Sequence, residues 1–205
     1  HEDGYSSTDN YVRDRVANQA DIRFVSKDKS WVAGVYFQSK DVDLTREYTW
    51  LSNNFVSNYE QTNAAIYGEK RYALTNDINI SAGLRIENHD GDYSDSNLVN
   101  ERTSDTMIGG HLTATKQYDE NTMAYTRLSR GFKSGGANGE ALSKLNEPGL
   151  ERYYNLLREN GSFDPEVLNN VELGMRYNNT DRGVKASAVV FYSSRHDMQI
   201  KQWFT

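Results

Sequence analysis

The stretch Arg130-Gly131-Phe132-Lys133-Ser134-Gly135-Gly136-Ala137-Asn138 mixes cations with glycines, the composition of a loop that cradles phosphate. Backbone N–H groups could converge on an anion there, but the Walker spacing and the strand-to-helix setting that such a loop needs are both missing. Asp90-Gly91-Asp92-Tyr93-Ser94-Asp95 spaces carboxylates as a calcium loop does. It lacks the glycine and the closing glutamate of an EF-hand, so it reads as an acidic surface turn. The four histidines, His1, His89, His111 and His196, share no ligand spacing, and no metal site is expected. Ser129 and Ser134 lack a nucleophile elbow, and the acidic pairs have no visible partner; no catalytic residue and no cofactor is expected. What remains is recognition chemistry. Tyrosines, tryptophan and asparagines (Trp50, Tyr59, Tyr153, Tyr154, Asn138) suit capture of a polar ligand by stacking and hydrogen bonding, with Arg130 and Lys133 placed to attract anions or lipopolysaccharide phosphates.

Those residues sit in the gaps of a strand pattern. Successive side chains of a strand point to opposite faces, so parity tests each run. Ile78, Ile80, Ala82, Leu84 and Ile86 make one apolar face; Asn79, Ser81, Gly83, Arg85 and Glu87 make the other polar. The split recurs in Ala20-Ile22-Phe24, Trp31-Ala33-Val35-Phe37, Ile108-Gly110-Leu112-Ala114, Val171-Leu173-Met175-Tyr177 and Val184-Ala186-Ala188-Val190-Tyr192, while charges such as Glu172 and Arg176 keep to the opposite parity. Arg85, Glu172 and Arg176 are therefore expected to line the polar side of a wall as one network.

Tight polar joints at Lys27-Asp28-Lys29, Thr75-Asn76-Asp77, Asp119-Glu120-Asn121 and Asn178 to Gly183 alternate with wide connections at about 40–60, 88–104 and 133–169. A meander with short turns at one rim and long loops at the other is the wiring of an outer-membrane barrel. Trp31, Tyr72, Tyr118 and Tyr177 share the apolar parity near the tight turns, as an interfacial girdle would. Lys70 and Lys116 break the parity close to the same turns, where a lysine can reach the interface. Phe132 is expected to anchor at the outer interface, and Leu150 to Glu159 to form a short helix. Both prolines, Pro148 and Pro165, fall in the longest connection.

Composition is compatible with this. No run of about 18 apolar residues exists, which excludes a transmembrane helix, and a mean hydropathy of -0.82 does not argue against a barrel, since only alternate side chains meet lipid. The net charge of -6 disfavours a nucleic-acid partner, and the absence of cysteine excludes a disulfide scaffold or thiolate site. The first residues are not a signal peptide, and both ends read as cut from a longer chain.

Three ordered segments carry a family resemblance. Tyr125-Thr126-Arg127-Leu128-Ser129-Arg130-Gly131-Phe132-Lys133-Ser134-Gly135-Gly136-Ala137-Asn138 resembles the Y-x-x-x-S-R-G-F-K-S-G-G-x-N segment of TonB-dependent outer-membrane receptors. Phe163-Asp164-Pro165-Glu166 followed by Asn170-Val171-Glu172-Leu173-Gly174 resembles the family's re-entry into the barrel, and Phe191-Tyr192 with Asp197-Met198-Gln199 its next strand. The resemblance covers about Gln61 to Gln199; earlier residues fit by pattern only. It implies an all-β fold in which residues 1–205 are a partial receptor barrel, an antiparallel up-and-down meander of about eight strands from a barrel of about 22. It further implies residence in the outer membrane of a Gram-negative bacterium, against outer-membrane lipid. The function implied is uptake of a scarce nutrient, most often an iron-siderophore complex, powered through a TonB complex that would engage a plug and TonB box not found in this chain. A passive porin-like barrel and a soluble β-sandwich that binds carbohydrate are the alternatives.

Overall fold

A computed structural model describes residues 10–47 and 54–200. Eight long strands follow one another: β1 (Asn10–Val25), β2 (Trp31–Glu47), β3 (Phe55–Ala73), β4 (Ile78–Asp95), β5 (Asn100–Gln117), β6 (Thr122–Lys133), β9 (Glu166–Asn179) and β10 (Val184–His196). Between β6 and β9 lie two short strands, β7 (Gly136–Ala137) and β8 (Ser162–Phe163), and two short helices, α1 (Gly139–Leu142) and α2 (Tyr154–Glu159). The long strands form a single antiparallel sheet in the order β1-β2-β3-β4-β5-β6-β9-β10, each neighbour in space being the neighbour in the meander.

Register aligns the apolar parity across the sheet. Val35 lies opposite Ile22 and Ile66, Ile66 opposite Ile86, Ile86 opposite Ile108, Leu112 opposite Leu128, and Leu128 opposite Val171. Among the described residues nothing covers this face: Ile66 is 60% exposed, Leu84 55% and Leu173 59%. A sandwich would bury these side chains beneath a second sheet, and the only other sheet among the described residues is the two-stranded pair β7-β8. A continuous bare apolar stripe needs a non-aqueous neighbour, and hydrocarbon supplies it.

The stripe has a sharp upper edge. Above Phe37, Ala64, Ile86 and Ile108, the same parity reads Ser39-Asp41-Asp43 on β2, Thr62-Glu60-Asn58 on β3, Asn88-Asp90-Asp92 on β4 and Thr106-Ser104-Arg102 on β5. The apolar run Ile78 to Ile86 matches the roughly 9–11 residues with which a tilted strand crosses a bilayer. Strand β4 is 18 residues long and β3 is 19, so both continue well beyond the lipid. The connections expected at 40–60 and 88–104 are thus mostly strand: β4 and β5 meet in the turn 96–99, and β2 runs to Glu47. Parity loses its contrast there because the outward face meets water instead of lipid and polar residues such as His89 and Asn63 also stand inward, which makes strand look like loop in the sequence.

The tight joints stand where expected, at 26–30, 74–77, 118–121 and 180–183. Asp119 closes its turn by accepting the N–H groups of Asn121 at 2.8 Å and Thr122 at 2.9 Å. Asp28 does the same for Ser30, and Gly183 supplies a positive φ of 65° in the last turn. Trp31, Tyr72 and Tyr118 stand exposed near these turns, with the Lys116 ammonium 5.0 Å from the Tyr118 ring.

Among the described residues, the buried apolar cluster forms where residues 134–165 fold back over the extramembrane strands. Leu142 and Leu145 pack with Tyr93 and Val99, joined by Tyr59, Ala137 and Leu157. Helix formation at 151–159 agrees with the expectation, a 3₁₀ turn leading into α2.

Candidate ligand-facing wall and cap

The face opposite the lipid stripe is lined by charge and aromatic rings held in discrete clusters. On β1 to β4, Asp21 receives the Tyr67 hydroxyl at 2.5 Å and pairs with Arg23 at 2.6 Å. Beside them Arg85 pairs with Glu87 at 2.6 Å and lies over the Tyr36 ring at 4.8 Å. Glu69 accepts from Arg71 at 2.9 Å and from the Ser81 hydroxyl at 3.0 Å. Further round the wall, Tyr125 donates to Glu172 while the Arg176 guanidinium sits 5.7 Å from the Tyr125 ring. The expected network of Arg85, Glu172 and Arg176 is therefore two clusters: Glu172 and Arg176 meet around Tyr125, and Arg85 belongs with Glu87, on strands separated by β5 and β6.

Glycines make this tyrosine lining possible. Gly34 is the cross-strand partner of Tyr67, Gly83 of His111 and Gly174 of Tyr125. In each pair the ring lies over the glycine; a Cβ at Gly34 would sit 2.5 Å from Tyr67 Cζ. The rings thus lie flat along the wall and keep the interior open.

Strand β6 leaves β5 after the Gly110–Arg130 pair and continues only against β9, so the wall splits at this point. Phe132, expected to anchor at the outer interface, turns instead over the wall. It is half-buried, and a Cβ at Gly109 would come within 2.8 Å of its ring, so it closes over the gap left by the departing strand. Arg130 donates Nε–H to the Ile108 carbonyl at 3.0 Å and lines, with Arg85, Glu87, Phe132 and Ser134, a depression of about 430 Å³. Lys133 is exposed at the end of β6, opposite Glu166.

The segment 134–165 is a docked cap. The Tyr59 hydroxyl accepts the Ala137 N–H at 3.0 Å, and the Tyr59 ring meets Tyr93 edge-on at 6.4 Å between centroids. Asn97 and Asn146 exchange bonds between the β4-β5 turn and the cap, Asn97 Nδ2 to the Ser143 carbonyl at 2.9 Å and Asn146 Nδ2 to the Asn97 carbonyl at 2.8 Å. Arg158 pairs with Glu101 at 2.5 Å, and Gln199 holds the base of the cap through the Ser134 and Asp164 carbonyls. Burial is the main cause that raises the pKa of the Tyr93 phenol, which stays protonated and donates to Asp95 at 2.9 Å.

Of the recognition candidates, Tyr59 and Asn138 are spent on architecture. Asn138 caps α1 and donates to the Asn160 carbonyl at 2.9 Å. Tyr153 and Tyr154 stand exposed on the cap, with Arg152 stacked 4.6 Å from the Tyr153 ring centroid. Trp50 lies outside the described residues. The carboxylates of Asp90 to Asp95 form no acidic turn: they lie on β4, where alternation sends Asp90 and Asp92 to one face and Asp95 to the other. Among the described residues no group of histidines and carboxylates could hold a metal ion. The sequence reading missed Tyr36, Tyr67 and Tyr125; for Tyr67 and Tyr125 the signal is a glycine opposite the tyrosine in register, Gly34 and Gly174, whereas Tyr36 stands opposite Asp21 and Ala65.

Comparison with known proteins agrees with this architecture. The family described as "TonB dependent receptor-like, beta-barrel" matches residues 2–203 and so includes the first sixty residues. The pesticin receptor of Yersinia enterocolitica is 28% identical over 197 residues, covering 91% of this chain and 26% of that receptor. The pesticin receptor of Yersinia pestis matches to the same extent, so the chain spans about a quarter of the length of these relatives, 26%. The crystal structure of the ferric yersiniabactin uptake receptor FyuA from Yersinia pestis superposes with a TM-score of 0.68 at 20% identity, over 93% of this chain and 30% of that one. The alcaligin outer-membrane receptor FauA from Bordetella pertussis gives a TM-score of 0.52 at 17% identity, over 91% and 29%. At such identities these two structures speak for the fold. Family, strand order and bare apolar stripe agree: the chain belongs to the TonB-dependent receptors, as a section of their barrel wall in the Gram-negative outer membrane.

Proposed function

We propose that the receptor containing this wall imports an iron-siderophore complex, with energy delivered through a TonB complex to a plug domain outside this chain. The family match along the whole chain carries the reading, and it is supported by relatives named for pesticin and for ferric yersiniabactin uptake. The wall suits passage of a polar solute: its inner face is hydrogen-bonding and charged, with Asp21 paired to Arg23, Glu87 to Arg85, and the Tyr67 and Tyr125 rings laid over glycines. Exposed Tyr153 and Tyr154 on the cap, with Lys133 and Arg130 at its root, would meet the ligand as it enters. A strain lacking the full-length gene, grown under iron starvation on a panel of ferric siderophores, should fail on one or a few of them and recover with the gene restored. Growth equal to the parent strain on every siderophore, or rescue independent of TonB, would contradict the proposal.

A further inference from the structure

The inner face of the extramembrane wall is segregated by charge. On β1 it presents Tyr11, Arg13, Arg15, Ala17 and Gln19; facing them on β2 are Arg46, Leu44, Val42, Lys40 and Gln38. The inward positions of β3 alongside, Phe55, Ser57, Tyr59, Gln61 and Asn63, carry no charge. Four cations and no carboxylate thus occupy this part of three strands, in a chain whose net charge is -6. The opposite face at the same height is acidic, with Asp14, Asp41, Asp43 and Glu60.

The cations are held largely by neutral groups. Lys40 Nζ donates to Gln61 Oε1 at 2.8 Å, and Arg13 donates to the Tyr11 hydroxyl at 2.8 Å. Arg15 forms no ion pair among the described residues; Arg46 lies 3.6 Å from Glu140 on α1, so the cluster borders the cap. Arg15 and Lys40 are diagonal cross-strand neighbours, a relation of roughly 7–8 Å. Burial, and then the charges of Arg15 and Arg13, lower the Lys40 pKa. Beneath them runs a row of amides, in which Asn63 Nδ2 donates to Gln38 Oε1 at 3.1 Å.

We infer that Arg13, Arg15, Lys40 and Arg46, with the amide row below, form a binding surface for a multiply anionic ligand, and that the imported cargo is a polyanionic metal chelate. The inference rests on the uptake reading above and narrows its substrate class. Lipopolysaccharide phosphates are a poor match, since lipid packs on the other face, where the same level is acidic. A chelate with outward carboxylates or catecholates would replace like-charge repulsion by charge-assisted hydrogen bonds, while the amides take its neutral oxygens.

Two iron(III) probes separate charge from shape: the polyanionic tris-catecholate and the uncharged tris-acetohydroxamate, bound to purified full-length receptor in detergent and followed by fluorescence quenching. The native receptor should favour the polyanion, increasingly at low salt. Arg15→Gln with Lys40→Gln should weaken the polyanion about tenfold or more and leave the neutral chelate unchanged, whereas Arg15→Lys with Lys40→Arg should keep the preference. Equal binding of both probes, no binding of the polyanion, or equal weakening of both would overturn the inference. Should the double glutamine variant fail to fold, as judged by loss of heat-modifiable gel mobility, the salt dependence and the charge-keeping variant decide, and a salt-independent preference overturns the claim. Growth independent of every ferric siderophore, beside a retained preference for the polyanion, would remove the uptake reading and leave the binding surface standing.

Discussion

Single residues on this wall act through close fits and turn bonds. Gly34 is needed where it is because the Tyr67 ring and the Ile22 carbonyl, 2.5 and 2.8 Å from where a Cβ would stand, fill the space above it. Gly34→Ala in the full-length receptor should cost about 1–3 kcal/mol in urea unfolding from liposomes, part of it recovered by adding Tyr67→Ser. An unchanged unfolding midpoint would refute the tyrosine-over-glycine account. Asp119 offers a test by pH, since bonds from Asn121 and Thr122 lower the pKa of its carboxyl below the ordinary 3.8. A group whose folded pKa is depressed contributes stability above the unfolded value and loses it as pH falls through the folded one. The carboxyl carbon of Asp119 should therefore titrate below 3.8, with the turn loosening only beneath that pH. A midpoint at or above 3.8 would show that the turn bonds do not form.

At the scale of elements, the cap and the strands beneath it depend on each other. Leu142 is fully buried among Tyr93, Val99 and Leu145, and the Ala137 N–H rests on the Tyr59 hydroxyl. Leu142→Ala should open a cavity worth about 2–5 kcal/mol against docking of residues 134–165. Amide exchange there should accelerate while the transmembrane strands stay protected; equal acceleration in both would mean that the cap is not a separate unit. The strands were readable in sequence wherever lipid faces one side, because hydrocarbon forces a clean alternation such as Ile78 to Ile86. Above the bilayer the outward Asp90 and Asp92 meet water while the inward His89, Gly91 and Tyr93 are buried, so polar residues fall on both parities and the apolar alternation that marks a strand disappears. For the same reason Arg13, Arg15, Lys40 and Arg46 did not stand out: they share a face only once β1 and β2 are known to run together to the Asn10–Glu47 pair. The cap was legible as a long connection with a helix near 150–159, but its docking depends on Tyr59, Tyr93 and Val99, distant in sequence and ordinary by composition.

For the whole molecule, the governing fact is an apolar stripe that nothing among the described residues covers. Among the described residues, strands β1 and β10 each pair on one side only, so this sheet is an arc whose edges must be met by further wall before the backbone is satisfied in lipid. The 205-residue chain on its own should therefore fail to give the heat-modifiable band of a closed barrel, whereas the full-length receptor should show it; a closed, heat-modifiable fragment would contradict the arc. The most direct measurement places spin labels one at a time along β4 of the full-length receptor in liposomes, from Asn79 to Ile86, and compares collision with dissolved oxygen and with a water-soluble nickel chelate. The account predicts strict period-2 alternation, with Ile80, Ala82, Leu84 and Ile86 favouring oxygen and Ser81, Gly83 and Arg85 favouring nickel. Uniform exposure to nickel, or labels at the apolar positions shielded from both collision partners, would mean that this face meets water or packed protein instead of lipid.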